Sequence, residues 1–181
     1  LWVPGSGTTS SYGTYDSSDS STYSEIDTGF SISYGDGSSA SGVWGKETLT
    51  IGGVSITDID FGYATTQNVG QGLLGVGMKG NEASETDSPS FSYDNLPLLM
   101  ADQGIITKAA YSLYLNSQDA TAGSILFGAV DKAKYSGDLA TLSLVDIDDE
   151  GDSTSSPVAF FVNLDEVASS SKTYTTTTYP A

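Results

Sequence analysis

Phe30-Ser31-Ile32-Ser33-Tyr34-Gly35-Asp36-Gly37-Ser38 is the stretch on which the fold turns. Phe30, Ile32 and Tyr34 alternate with Ser31 and Ser33, the period-two pattern of a strand with one face against a core. From residue 35 to residue 42 every side chain is small or turn-forming, and several tolerate positive φ. Residues 43–51 then read as a second strand, so the two form a hairpin with a long, small-residue tip. Gly52-Gly53 is a two-residue signal for another tight hairpin, into a third strand over residues 54–61.

The same reading extends along the chain. Residues 110–115 and 124–130 flank a polar loop, 116–123, and predict a further hairpin. One helix is expected: Asn95 caps it, Pro97 sits in its first turn, Leu98, Leu99 and Met100 follow, and Gly104 stops it. A single turn is expected over residues 131–134. Residues 80–90 form an acidic polar loop, and residues 146–156 an acidic, Ser-rich linker before the apolar run 158–162. The fold class is therefore all-β, with one or two short helices.

Composition narrows the chemistry. The chain has 181 residues, 38% of them apolar and 10% aromatic, enough for a sizeable core and too apolar for a disordered segment. Six basic residues, all Lys, stand against 23 acidic ones, a net charge of −17 that disfavours nucleic acid and anionic membranes as partners. With neither Cys nor His, thiol nucleophiles, imidazole bases and the usual zinc sites are excluded, and acid–base work falls to carboxylates, Tyr or Lys. No apolar run approaches the ~20 residues of a membrane-spanning helix. No metal and no cofactor is expected.

Three motifs invite other readings. Gly70-Gln71-Gly72-Leu73-Leu74-Gly75 fits a dinucleotide fingerprint, but no helix follows, and the stretch reads instead as a buried strand with closely packed glycines. The run from Asp146 to Gly151 imitates a calcium loop, yet Pro157 stands where a bidentate Glu belongs; a solvated linker is the better reading. Ser169-Ser170-Ser171-Lys172 matches S-x-x-K outside any helix, a coincidence.

Taken together, several segments resemble the pepsin-type aspartic peptidases, family A1, and most closely the fungal secreted enzymes and yapsins. Leu1-Trp2-Val3-Pro4 is similar to the segment that follows the family's first catalytic D-T-G-S-S loop. Residues 30–38 resemble the flap, the hairpin that closes over substrate, and Trp44-Gly45-Lys46-Glu47-Thr48 continues it. Residues 72–77 match the hydrophobic-hydrophobic-Gly motif behind the first catalytic loop. Residues 95–99, 110–115, 123–131 and 133–137 resemble the remaining body of the amino-terminal lobe.

The resemblance implies a pepsin-like β lobe over residues 1–140, lacking its first strands and catalytic loop, then a linker and the beginning of a carboxy-terminal lobe over 141–181. It implies an endopeptidase in which two carboxylates sharing a proton activate water. Neither catalytic Asp lies in this stretch, so the chain alone is expected not to cleave peptides; it is a fragment of a longer product or an inactive remnant. Asp27-Thr28-Gly29 matches the D-T-G core of a catalytic loop, but Phe30 follows where a Ser or Thr belongs, and Asp27 is read as a turn residue before the strand. The implied substrate-binding residues are Tyr34, Gly35, Asp36, Gly37 and Ser38 in the flap, Trp2, whose indole N–H would meet the Tyr34 hydroxyl, and Leu73. Leu73 reads equally as pocket wall or as core. The implied partner is a peptide or protein substrate in the cleft of the full-length, monomeric protein, outside the cell or at its surface. The competing reading is a non-catalytic β-rich binding or cell-wall protein that keeps the lobe and its peptide-accepting hairpin.

Overall fold

A computed structural model describes residues 1–85, 91–147, 151–154, 157–164, 166–169 and 172–175. The chain divides into two compact units, Leu1–Gly137 and Asp138–Ala181. As the alternation requires, the first unit is built on strands, and one α-helix is present among the described residues.

Its centre is a four-stranded sheet in the order β1-β4-β3-β2. β1 is Trp2–Pro4, β2 Ser24–Ser33, β3 Ser39–Ile51 and β4 Val54–Gln67. β2, β3 and β4 run antiparallel as successive hairpins, and β1 pairs parallel with β4, Trp2 opposite Gly62. Gly52 and Gly53 form the β3–β4 turn at φ of 59° and 80°, the left-handed pair that a two-residue hairpin with the native strand twist demands.

Three strands are longer than the sequence pattern suggests, for a common reason. β3 begins at Ser39 rather than at residue 43, because residues 39–42 pair with residues 30–33 of β2 and so belong to the ladder, not to the tip. β2 begins at Ser24 rather than Phe30, because its outer half pairs with β3 (Ser24 opposite Lys46, Ile26 opposite Trp44) before a register shift between Ile26 and Gly29. Asp27 therefore lies inside the strand, at that irregularity, and not in a turn before it. β4 runs on to Gln67 because its second half is paired on both sides, by β1 and β3. A second shift, between Glu47 and Leu49, leaves Asp58 at φ 54°. The Gln103 side chain brackets that bulge, accepting from Thr57 N and donating to Thr57 O.

Burial follows the alternation. Trp2, Phe30, Ala40, Trp44, Ala64 and Tyr93 form one core cluster, with Phe30 and Phe91 meeting the Trp44 ring edge to face. Ile56, Ile59, Leu96 and Met100 form a second, where the helix packs on the far end of the β3–β4 hairpin. That helix, α1, spans Leu96–Asp102 with Pro97 in its first turn. Asn95 occupies the cap position but makes no side-chain capping bond; its amide instead donates to Gly77 O and to Glu82 Oε1. Tyr93 OH donates to the other Glu82 oxygen at 2.6 Å, so Glu82 joins the two 3-10 turns of the acidic loop, Lys79–Asn81 and Ala83–Glu85, to the segment entering the helix.

β5, Tyr111–Tyr114, and β6, Ser124–Phe127, make the expected hairpin, and a 3-10 turn at Lys132–Lys134 is capped by Asp131, whose carboxylate accepts from Ala133 N. The glycine-rich stretch from residue 70 to residue 75 is not the buried strand that its composition suggests. Only Leu73 pairs, as an isolated bridge to Trp2, and Gln71, Gly72, Leu74 and Gly75 are exposed. The expected close packing is present at Gly72, where a Cβ would lie 2.9 Å from Trp2 O and 3.1 Å from Pro4 Cδ.

In the second unit β7, Glu166–Ser169, and β8, Lys172–Thr175, form an antiparallel pair. Ser169 and Lys172 face each other at the end of that ladder and open no helix. Asp148, Asp149 and Glu150 of the calcium-like run lie outside the described residues.

Candidate functional site

The β2–β3 hairpin projects its tip, residues 34–38, beyond the last ladder pair, Ser33 opposite Ser39. Two backbone bonds close the tip: Tyr34 N donates to Ser38 O and Gly37 N to Tyr34 O, each at 2.9 Å. Asp36 folds back on it, its Oδ1 accepting from Ser38 Oγ at 2.6 Å and from Ser38 N at 2.8 Å. Those bonds, the hydroxyl first, hold the Asp36 carboxyl below its ordinary range, so the exposed tip carries a negative charge.

Tyr34 reaches from the tip to the first strand. Its hydroxyl accepts the Trp2 indole N–H at 2.8 Å, the contact that the resemblance implied. Trp2 is 2% exposed, so this bond satisfies a polar group that water does not reach. Trp2 is also held through its backbone: its N donates to Leu73 O at 3.0 Å, and Leu73 N donates to Trp2 O at 3.1 Å. The fold thus brings Tyr34, Trp2 and Leu73, from three distant parts of the chain, into one chain of contacts.

Beside Trp2 lies a groove of about 390 Å³, lined by Pro4, Tyr12, Tyr15, Leu73 and Leu74 among others. Tyr34 is not in its lining. Leu73 packs against the first core cluster and also lines this groove.

The loop from residue 5 to residue 23, which supplies Tyr12 and Tyr15, is tied down by a residue that sequence reasoning passed over. Glu47 of β3 accepts from Tyr15 OH and Ser20 Oγ at Oε2, and from Thr22 Oγ1 and Thr48 N at Oε1. Burial alone pushes this carboxyl up, but bonds from Ser20, Thr22, Tyr15 and Thr48 outweigh it and bring it down to about 2. The Tyr15 phenol is correspondingly pushed up to about 12, by burial first and by Glu47 next. The available signals were an acidic residue within an otherwise regular strand and the hydroxyl-rich run from Ser20 to Thr22. Asn68, also unremarked in the sequence, accepts Ser39 N at the root of the tip. Among the described residues no cluster of acidic side chains is arranged to hold a metal ion.

Over its whole length, residues 1–181, the chain matches the family described as Eukaryotic aspartyl protease. It belongs to that family. An "Acid protease" of Saccharomycopsis fibuligera is 67% identical over 181 residues, all of this chain and 46% of that protein. "Secreted aspartic protease 3" of Candida albicans is 50% identical over 130 residues, 72% of this chain and 31% of that protein. The crystal structure of an aspartic proteinase from Irpex lacteus superposes with a TM-score of 0.65 at 26% identity, covering 82% of this chain and 42% of that one. The fold is thus that of a pepsin-like aspartic protease, as the sequence motifs imply. This member of the aspartyl protease family spans less than half the length of these relatives.

Proposed function

We propose that these 181 residues supply the substrate-covering hairpin of an aspartic-type endopeptidase, and that both catalytic carboxylates belong to segments outside them. In that reading residues 1–140 are amino-terminal lobe and residues 141–181 lead into the second. The two carboxylates of the whole protein share a proton; the ionised one activates water as the protonated one polarises the scissile carbonyl. The 181-residue chain by itself has no route to that chemistry and does not cleave peptides.

The observation that carries this reading is the Trp2–Tyr34 hydrogen bond. It docks the hairpin tip against β1 through a phenol that is only half-buried, so the tip is held and yet accessible. Backbone groups of Gly35, Gly37 and Ser38 and the Asp36 carboxylate are then presented to an extended peptide, a β-type recognition mode with Trp2 and Leu73 beneath it. Closure of such a tip excludes water from the reacting centre. The names of the relatives support a protein that acts outside the cell or at its surface, and a one-chain cleft needs only a monomer.

The test is hydrolysis of a protein substrate at acid pH by the full-length protein, with and without pepstatin. Pepstatin-sensitive cleavage is expected, reduced about 10–10²-fold in kcat/KM by Y34A, because a mispositioned lid loses orientation and water exclusion. A correctly folded full-length protein with no pepstatin-sensitive activity would overturn the proposal.

A further inference from the structure

Asn68 stands where the hairpin tip leaves the sheet. The regular β3–β4 ladder ends at Ala40 opposite Gln67, and the β2–β3 ladder at Ser33 opposite Ser39. Ser39 is thus the last residue of β3 with a partner strand on one side, and its two backbone groups on the β4 side would be left open. Asn68 closes both. Its backbone N–H donates to Ser39 O at 3.2 Å, and its side-chain Oδ1 accepts Ser39 N–H at 2.7 Å. One residue therefore adds a further rung to the sheet, half of it made by a side chain, directly below the five-residue tip.

The post behind this rung is itself braced. Gln67 Oε1 accepts Gly70 N at 2.7 Å, and Gln67 Nε2 donates to Thr9 O at 2.5 Å. Ser11 N donates to Gly70 O at 2.9 Å. Segment 67–70 is thereby fixed to the loop that walls the groove beside Trp2. The closure of residues 34–38 is internal to the tip, apart from the bond of the Tyr34 hydroxyl to Trp2.

We propose that Asn68 is a positioning residue for the peptide-binding tip. Its side-chain oxygen sets the pivot at Ser39, so that the tip moves as a short lever that returns Tyr34 to Trp2. Without that oxygen the Ser39 rung keeps only its longer backbone bond, the pivot loosens toward the Ala40–Gln67 pair, and the docked position is less populated. A binding-competent state that is only partly populated weakens apparent affinity in proportion, while a saturating peptide still draws the tip closed. The effect falls on KM rather than on kcat. This inference rests on residues 34–38 covering substrate, as proposed above.

The experiment uses the full-length protein and a peptide substrate, comparing native, N68A, N68D and Y34A forms. N68A is expected to raise KM about 2–5-fold, the weight of one solvent-accessible hydrogen bond, with kcat within about twofold of native. N68D keeps an oxygen acceptor for Ser39 N–H and is expected to restore native KM within about twofold. Native KM in N68A, or equal impairment in N68D, overturns the proposal. If Y34A also leaves KM and kcat unchanged, the covering role of the tip has failed; if only Y34A is impaired, the pivot alone has failed. Hydrogen exchange in the native protein gives a readout that depends on no variant: the Ser39 amide is expected to be protected and the Gly35 amide not, and an unprotected Ser39 amide overturns the pivot.

Discussion

Tyr15 and Glu47, 32 positions apart in sequence, are joined by a hydrogen bond from the phenol to carboxylate Oε2, and the bond ties the loop at residues 5–23 to the middle of β3. Ser20 and Thr22 hydroxyls converge on the same carboxylate. A carboxylate that accepts several hydrogen bonds is held ionised, and its ionisation stabilises the fold. Since the Glu47 value is depressed from 4.5 to about 2, its contribution is fully present above pH 4.5 and is lost as pH falls through 2. E47Q is expected to cost about 1–3 kcal/mol at neutral pH. Denaturation of native and E47Q proteins from pH 7 to pH 2 checks this: the gap should be constant above about pH 5 and narrow below it. A gap independent of pH would show that the charge is not what holds the loop. At the other extreme Tyr15, raised to about 12, contributes stability present below pH 10 and lost as pH rises through 12.

The Trp2–Tyr34 bond gives a second test. In Y34F the indole N–H keeps its buried place and loses its acceptor, a loss of about 1–3 kcal/mol. W2F removes the donor and the acceptor's need together, so a W2F/Y34F cycle should show a coupling energy of about 0.5–1.5 kcal/mol. Equilibrium denaturation of the four proteins measures it, and additive losses would mean that the two side chains merely lie near each other.

Two glycines of the hairpin should respond differently to alanine. At Gly42, where β3 slips register against β4, a Cβ would sit 2.0 Å from Tyr63 O, and the clash is with backbone. Gly37 has open space around it but φ of 83°, so only the left-handed backbone resists a side chain. G42A is expected to lose about 3 kcal/mol or more, G37A about 1–2 kcal/mol. Denaturant midpoints of the two variants distinguish steric from conformational cost.

Asn95 separates a cap from a cross-link. A capping residue tolerates Asp nearly as well as Asn. Asn95 instead uses its amide hydrogens on Gly77 O and Glu82 Oε1, at 6% exposure. N95D removes both donors and sets a carboxylate beside Glu82, with an expected loss of about 2–4 kcal/mol that lessens as pH falls and either acid is protonated. A near-neutral N95D would return the residue to the capping role that its position suggests.

These cases mark where sequence reading succeeds. The hairpin turn at Gly52-Gly53, the helix after Asn95, the β5–β6 pair and the presence of a small-residue tip on the first hairpin were legible because each depends on backbone preference and on side chains within a few positions. The tip's extent was not: composition suggests 35–42, and pairing of residues 39–42 with β2 shortens it to 34–38. The Trp2–Tyr34 contact was legible only through family resemblance, since nothing local to either residue points to the other. Asp27 was misplaced because its extended conformation is imposed by β3, paired on either side of it, and not by its own turn propensity. The stretch from residue 70 to residue 75 was misjudged because its glycines and leucines suggest a buried strand, whereas only Leu73 makes a β-bridge and Gln71, Gly72, Leu74 and Gly75 are exposed.

By itself, then, the sequence determined the all-β class, the hairpins and the presence of a small-residue tip, all consequences of short-range sterics and alternating polarity. Only the tertiary structure decided that Glu47 would gather three hydroxyls, that Asn68 would finish the sheet at Ser39, and that Asn95 would hold Glu82 instead of capping α1. A polar side chain has several partners open to it along an unfolded chain. Which of them it takes is settled when packing removes water from the alternatives.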